Sequence, residues 1–313
     1  MLKDDFLWVE KYRPKVVADT ILPENLKETF QTYVDKKQIP NLILEGPQGL
    51  GKTTIARAIL EQINADYIII NGSLDRNIDT LRNEISNFAS SVSLTGDRKY
   101  VIIDEADYLN ANSTQPALRN FVEKYSKNCG FIMTCNFVNR IIEPIHSRFS
   151  VVSFKLNKKD LPGLAAQFLK RCCTILDTEG VEYEKAVVAE VVKKYLPDWR
   201  RVLNELQRYS ATGKIDSGIL SSLDSVTHKQ LVGYLKEKDF TNMRKWVGEN
   251  FNNDSTELFK SLYTNASEYM EKASIPMLVV ILARYQYQNA FVADHELNLV
   301  ACLTEIMMEC DIL

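Results

Sequence analysis

Apolar positions along this chain fall into two patterns, and the change between them lies near residue 155. Before it, short unbroken apolar runs alternate with stretches of helical period. Leu42-Ile43-Leu44 reads as a strand that runs into a glycine-rich loop. Thr53 to Ile63 follows as a helix, with Ile55, Ala58, Ile59 and Gln62 along one side. Tyr67-Ile68-Ile69-Ile70, Tyr100-Val101-Ile102-Ile103, Gly130-Phe131-Ile132-Met133-Thr134 and Val151-Val152-Ser153-Phe154 supply four more strands. Continuous β-branched runs with helices between them predict a parallel sheet covered on both faces, since only a doubly buried strand is apolar at every position.

After Phe154 the strand pattern stops. Leu161 to Ser210 reads as helices only, broken near Gly180 and Pro197. Gly213 to Gly218 is a turn-rich break. From Thr227 to Leu313 the chain is again helical, with sets such as Leu258, Phe259, Leu262 and Tyr263 at helical spacing. The pattern predicts an α/β domain over 1–155, a small helical domain over 156–220 and a helical C-terminal domain over 221–313.

Composition narrows the class. The 313 residues suit two or three domains at roughly 100–200 residues each. Hydrophobic residues at 45% and charged residues at 25% are ordinary for a globular chain with real cores. The apolar run from Ile275 to Ala283 falls short of the ~20 residues that cross a bilayer. Met1-Leu2-Lys3-Asp4-Asp5 lacks the basic-then-apolar pattern of a signal peptide. Both observations predict an intracellular protein. The cysteines (129, 135, 172, 173, 302 and 310) contain no Cys-x-x-Cys pair, and the histidines lie far from any cysteine pair in sequence. Zinc spacing is therefore absent, and buried reduced thiols are expected. Net charge is −3, so any contact with nucleic acid must rest on a local basic patch.

Gly46-Pro47-Gln48-Gly49-Leu50-Gly51-Lys52-Thr53 matches the phosphate-binding loop pattern without a defect, between a strand and a helix as the chemistry requires. Glycines let the backbone turn its N–H groups onto phosphates, and the following helix adds its positive end. Gly49, Leu50, Gly51, Lys52, Thr53 and Thr54 are thus expected to contact ATP. Lys52 would bind the β/γ-phosphates and Thr53 a Mg²⁺ ion. Asp104 ends the strand Val101-Ile102-Ile103 and would hold that ion directly or through water. Glu105, one residue on, could polarise the attacking water. Asn136 ends the next apolar strand and could orient that water. Two arginine positions remain. Arg148 precedes the last strand, and Arg200 and Arg201 open a helix of the second domain that could close over the nucleotide. Extra positive charge at the γ-phosphate is what phosphoryl transfer gains most from.

Trp8-Val9-Glu10-Lys11-Tyr12-Arg13-Pro14 resembles the N-terminal signature of sliding-clamp-loader subunits. It is followed in order by the phosphate loop, Asp104-Glu105-Ala106-Asp107, Asn136, Ser147-Arg148 and Trp199-Arg200-Arg201. The chain is accordingly similar to the AAA+ clamp-loader ATPases, including the small subunits of replication factor C. Ile21-Leu22-Pro23, Lys27 to Phe30, Asn64-Ala65-Asp66, Asn71-Gly72-Ser73, Asn87 to Ser90 and Pro197-Asp198 resemble most the large clamp-loader subunits of T-even-like bacteriophages. The likeness covers almost the whole chain and weakens after about residue 220. It implies an AAA+ domain, a lid domain and a C-terminal collar that joins copies of the chain and a distinct loader subunit into an open ring. It implies that Val9, Glu10, Lys11, Tyr12 and Ile21 line the adenine pocket, largely through backbone and apolar contacts. Arg148 would reach a neighbouring subunit's ATP, and Arg200 would sense nucleotide within its own subunit. It also implies a ring-shaped clamp and primer–template DNA as partners, and the cytoplasm as location, of an infected bacterial host if phage-encoded. Phe149 departs from the pattern, standing where many relatives carry Cys.

The candidate DNA segment is Asn71 to Asn83. Ile78, Leu81, Ile85 and Phe88 share an apolar face, Arg82 points away from it, and Arg76 lies in the loop before it. The segment resembles the part of the family that tracks the DNA backbone, where contacts follow phosphates without reading bases. Lys158-Lys159 and Lys193-Lys194 read as solvated faces. Two other functions fit parts of the pattern: another AAA+ machine, such as a helicase loader or branch-migration motor, and a subunit that binds ATP for assembly without hydrolysing it. Trp8 to Pro14 and the helical C-terminal domain weigh against the first, and Glu105, Asn136 and Arg148 against the second.

Overall fold

In a computed structural model, residues 6–74, 78–91, 98–211, 213–216, 225–250 and 255–313 are described. They form two compact units, Met1–Leu220 and Ser221–Leu313.

The first unit is built on a five-stranded sheet of β1 (Leu42–Glu45), β2 (Tyr67–Asn71), β3 (Lys99–Asp104), β4 (Cys129–Cys135) and β5 (Ser150–Ser153). Its order is β2-β3-β4-β1-β5 and every pairing is parallel, as the apolar runs predicted. The register sets Leu42 opposite Ile132 and Val101 opposite Phe131. Because successive side chains alternate between faces, each strand feeds two cores. Ile43, Val101, Ile103, Phe131 and Met133 join one cluster. Leu42, Leu44, Tyr100, Ile102 and Ile132 join the other.

Helices α2 (Glu24–Asp35) and α3 (Lys52–Gln62) cover the second face through Phe30, Val34, Ile55 and Ile59. Helices α4 (Ile78–Ser90) and α5 (Thr114–Tyr125) cover the first through Ile85, Ala89, Leu118 and Val122. Apart from the smaller Ala89, each such side chain, when fully removed from water, stabilises the fold by about 1.5–3 kcal/mol. Phe149, the residue that departs from the family pattern, is buried in the first cluster. The position accepts the larger ring because it faces the core.

Beyond the sheet, α7 (Leu161–Glu179), α8 (Lys185–Tyr195) and α9 (Trp199–Ser210) form the helical part of the first unit. The expectation of helices alone over this stretch needs one correction. Glu182–Tyr183 and Lys214–Ile215 pair as two short parallel strands, β6 and β7. Two residues are too few for a period to register in sequence. Helix α7 ends at Gly180, whose φ of 68° is the left-handed cap that glycine adopts without strain.

The second unit is helical among its described residues, with segments Ser225–Lys236, Phe240–Asn250, Thr256–Thr264, Ala266–Tyr269, Ile275–Gln288 and His295–Glu309. Leu231, Met243, Phe259, Leu278, Ile281, Leu303 and Ile306 form its core. Asp294 caps the last helix by accepting the Leu297 N–H at 3.0 Å.

Candidate functional site

The sheet order decides where the chemistry lies. Strands β1, β4 and β3 are neighbours, so the residues just past their C-terminal ends meet at one edge. After β1 comes the loop Gly46–Gly51, after β3 Glu105, and after β4 Asn136. A cleft opens there. It is lined among others by Val9, Tyr12, Ile21, Gly49, Leu50, Gly51, Lys52, Thr53, Thr54, Asp104, Glu105, Asn136 and Arg200.

The loop after β1 needs its glycines. Gly51, the residue before α3, has φ 85° and Gly49 has φ 80°, values that L side chains rarely adopt. A Cβ at Gly49 would also lie 1.9 Å from Asp198 Oδ1, so the loop packs directly on the start of α9. Helix α3 begins at Lys52 with its first N–H groups unpaired within the helix, the usual receptor for phosphate oxygens.

Lys52 is buried at 8% exposure. Its ammonium donates to Gly46 O at 2.6 Å, Pro47 O at 2.8 Å and Asn136 Oδ1 at 2.9 Å. Burial pulls its pKa below the ordinary lysine value, with the nearby charges of Asp104 and Asp107 acting in the opposite sense. Thr53 Oγ1 donates to Asp104 Oδ1 at 2.8 Å. The same carboxylate oxygen accepts from Thr134 Oγ1, and that hydroxyl accepts the Glu105 N–H at 3.0 Å. Thr134 therefore ties the ends of β3 and β4 together. Glu105 sits at φ 55° and ψ 44°, a strained setting for a residue with a side chain that costs about 1–3 kcal/mol.

Asp107 belongs to the sequence signature, which by itself assigns it no role. It is 5% exposed, and its Oδ2 accepts the N–H groups of Asn136 at 3.3 Å and Phe137 at 3.2 Å. Its Oδ1 has no hydrogen-bond partner among the described residues. Asp107 thus fixes the turn that aims Asn136 at Lys52. The thiol of Cys135, one residue earlier, is pushed up to about 12 by burial.

Other predicted residues stand elsewhere. The side chain of Glu10 pairs with Arg13, and that of Lys11 with Glu179 at 2.8 Å. Neither residue is among those lining the cleft. Arg148 is also outside it. Its Nε donates to Glu123 Oε1 at 2.8 Å, and its Nη1 to Pro144 O at 2.6 Å and Ser147 Oγ at 3.0 Å. Arg200 reaches the cleft, whereas the Arg201 guanidinium lies 4.7 Å above the Tyr195 ring. Asp198 caps α9 by accepting the Arg201 N–H at 3.0 Å, which sets the helix start that carries Arg200. Arg82 is exposed on α4, and Ile85 one turn further on is buried. Arg76 lies outside the described residues, as do the side chains of Ile78 and Leu81.

The sequence did not single out Thr134, Phe168, Arg171 or Leu203, which also line the cleft. Phe168, Arg171 and Leu203 come from α7 and α9, and no local motif announces them. All six cysteines are free thiols. No helix among the described residues is long and apolar enough to cross a membrane. Among those residues, no cluster of three His, Cys, Asp or Glu side chains could hold a metal. The oxygens of Thr53 and Asp104, with phosphate and water, do suit the hard, partly hydrated Mg²⁺ ion.

Comparison with known proteins agrees with this geometry. Residues 42–156 match the ATPase family associated with various cellular activities. Residues 162–221 match the AAA+ ATPase lid domain of the sliding-clamp-loader large subunit. The chain is 35% identical to the sliding-clamp-loader large subunit of Enterobacteria phage T4, across 96% of this chain and 95% of that one. It is 39% identical to the corresponding subunit of Escherichia phage RB69 over 75% of each. The replication factor C small subunit of Archaeoglobus fulgidus is 34% identical over 76% of this chain and 72% of its own. Among solved structures, the Thermotoga maritima RuvB Holliday junction branch migration motor shares the fold, with a TM-score of 0.53 at 18% identity over 72% of this chain and 79% of that one. The chain belongs to the sliding-clamp-loader large-subunit family of AAA+ ATPases.

Proposed function

We propose that this ATPase opens a ring-shaped sliding clamp and seats it on primer–template DNA, working in an assembly of several copies with a distinct loader subunit. ATP binding would favour the spiral that holds the open clamp and DNA, and hydrolysis would release the closed clamp. The division into an AAA+ domain over 1–155, a lid over 156–220 and an oligomerising collar over 221–313 belongs to this reading. So does a cytoplasmic location in an infected bacterial host.

The observation that carries the chemistry is the convergence of Lys52, Thr53, Asp104, Glu105 and Asn136 from three adjacent strand ends on one end of the cleft. Lys52 would bind the β- and γ-phosphates. Thr53 and Asp104 would hold Mg²⁺, which neutralises charge on the phosphates. Glu105 would take a proton from the attacking water as its oxygen bonds to the γ-phosphorus and the bond to ADP breaks. Asn136, held by Lys52 and Asp107, would orient that water. The adenine would rest among Val9, Tyr12 and Ile21, with the backbone of Glu10 and Lys11 alongside, and Arg200 would report phosphate to the lid.

Arg148 supports a shared site. Its ion pair with Glu123 is a surface one, with side chains 32% and 51% exposed, and such pairs contribute about 0–1 kcal/mol. A neighbour's γ-phosphate can therefore displace Glu123 at little cost. Arg82 would contact DNA phosphates, joined by Arg76. The test is steady-state ATP turnover of the assembled loader with and without the cognate clamp and primer–template DNA. The reading requires that both together raise the rate above either alone. A rate indifferent to both would reject it.

A further inference from the structure

The two ends of the cleft are held by different parts of the chain. One end is the phosphate loop. The other is apolar, formed by Val9 and Ile21 from the N-terminal segment and by Phe168 and Leu203 from α7 and α9. That N-terminal segment, from Phe6 to Ile21, is fastened chiefly by side chains of those same two helices. The Trp8 N–H donates to Gln207 Oε1 at 3.0 Å, and Gln207 Nε2 donates back to Phe6 O at 2.8 Å. Glu179 accepts from Lys11 Nζ at 2.8 Å and from the Tyr12 hydroxyl. Arg171 donates to Tyr12 O at 2.7 Å through Nη2 and to Asp19 O at 2.6 Å through Nη1.

Arg171 holds the most demanding of these positions. Its guanidinium is partly buried, and that burial lowers its pKa. Its two prongs close the loop between Tyr12 and Asp19 into one fixed shape, with Ile21 just beyond. A planar fork with fixed donor directions can grip two carbonyls at once, which a lysine ammonium cannot do with the same geometry. On the opposite side the segment rests on α3, where Arg13 Nη1 donates to Thr54 Oγ1 at 3.2 Å and the Val17 N–H to Gln62 Oε1 at 3.0 Å.

We infer that Arg171 is a positioning residue for the nucleoside, shaping the apolar end of the cleft so that adenine affinity depends on α7, a helix outside the phosphate loop. The inference rests on the reading that the cleft holds ATP with its base among Val9, Tyr12 and Ile21. A residue of this kind should alter binding of ligands that carry a base and spare those that do not.

The experiment compares three probes on the full chain: ATP, ADP and inorganic triphosphate, each measured by calorimetric binding. Arg171→Ala should weaken ATP and ADP alike by about tenfold, since the two carbonyl bonds lie within the protein and only part of their loss reaches the ligand. Inorganic triphosphate, which needs the phosphate loop alone, should bind the variant as it binds the wild type. Arg171→Lys should fall between, since charge returns without the fork. If Arg171→Ala does not fold by circular dichroism, Arg171→Lys and Glu179→Gln carry the test with the same probes. Unchanged ATP affinity, or ATP and triphosphate weakened together, would overturn the inference. A wild-type chain that binds neither ATP nor triphosphate would instead reject the reading beneath it.

Discussion

The phosphate end and the base end of the cleft are built on opposite plans. The phosphate end is made by three adjacent strands of one sheet, and its side chains interlock over short distances. Lys52 is joined to Asn136, and Thr53 and Thr134 to Asp104, by hydrogen bonds of 2.9 Å or less. The base end is made by partners 152 to 201 residues apart in sequence. There a segment of the N-terminus is held against helices α7 and α9 by single side chains. A sheet edge cannot shift one strand without breaking its ladder, so the phosphate end is rigid. The base end keeps its shape only as long as the helices hold the segment. Turnover and affinity should therefore be separable by mutation: turnover at the sheet edge, affinity for the nucleoside at α7 and α9.

The largest separation should come from Glu105→Gln. It keeps the volume and removes the proton acceptor, so turnover should fall by about 10²–10⁴ while calorimetric ATP affinity stays within a few-fold. A variant that hydrolysed at the wild-type rate would remove Glu105 from the chemistry. Asp107→Ala should act in the same direction and more weakly. It frees the Asn136 and Phe137 N–H groups, and one or two lost charged hydrogen bonds correspond to about tenfold in turnover. Asp107→Asn keeps an acceptor for both groups and should recover most of that loss. If Asp107→Ala changed ATP affinity and left turnover intact, the turn would belong to the binding end instead.

Lys52 sharpens the comparison through pH. Burial lowers its folded pKa, so the free protein loses this positive charge at lower pH than an exposed lysine would. Triphosphate requires the protonated form, so ATP affinity should decline as pH rises through that lowered value. Titrations across the alkaline range should find the decline at lower pH than ordinary lysine ionisation. Affinity flat until ordinary lysine ionisation would show that the ammonium is not desolvated. The smallest effect concerns Arg82→Ala in the assembled loader. It should weaken DNA binding equally on all sequences and reduce the slope of log affinity against log salt by about one for each contributing copy. An unchanged slope would leave Arg82 as a solvated charge.

The same contrast explains what the sequence disclosed. The central strands β1, β3 and β4 were legible because doubly buried strands are apolar at nearly every position, as Ile102 and Ile132 are on one face and Val101 and Phe131 on the other. Lys52 and Thr53 were legible from the glycine-rich loop pattern, and Asp104, Glu105 and Asn136 because each stands at or just after a strand end. Arg171, Glu179 and Gln207 were not, since their partners lie far away in sequence and three of the bonds they make use backbone carbonyls that carry no residue signature. Thr134 looked like one more strand residue until the register set it beside Asp104. Asp107 sat inside a recognised signature, yet its work is done on backbone N–H groups of the turn after β4. Lys11 shows a further limit. Its place in a signature suggested the cleft through its backbone and gave no hint that its side chain pairs with Glu179 on α7.

One residue belongs to neither end of this chain's own cleft, and the account turns on it. Arg148 is proposed to complete the phosphate end of a neighbouring copy, so the direct measurement is ATP turnover in loaders assembled from mixed subunits. Chains carrying Lys52→Ala, which cannot hold phosphate, are combined with chains carrying Arg148→Ala, which have an intact phosphate loop. The account predicts that activity survives wherever an intact loop faces a neighbour with Arg148, including a neighbour that carries Lys52→Ala. It predicts that activity is lost wherever an intact loop faces a neighbour carrying Arg148→Ala. Activity that followed Arg148 within its own chain, whatever the neighbour, would contradict it.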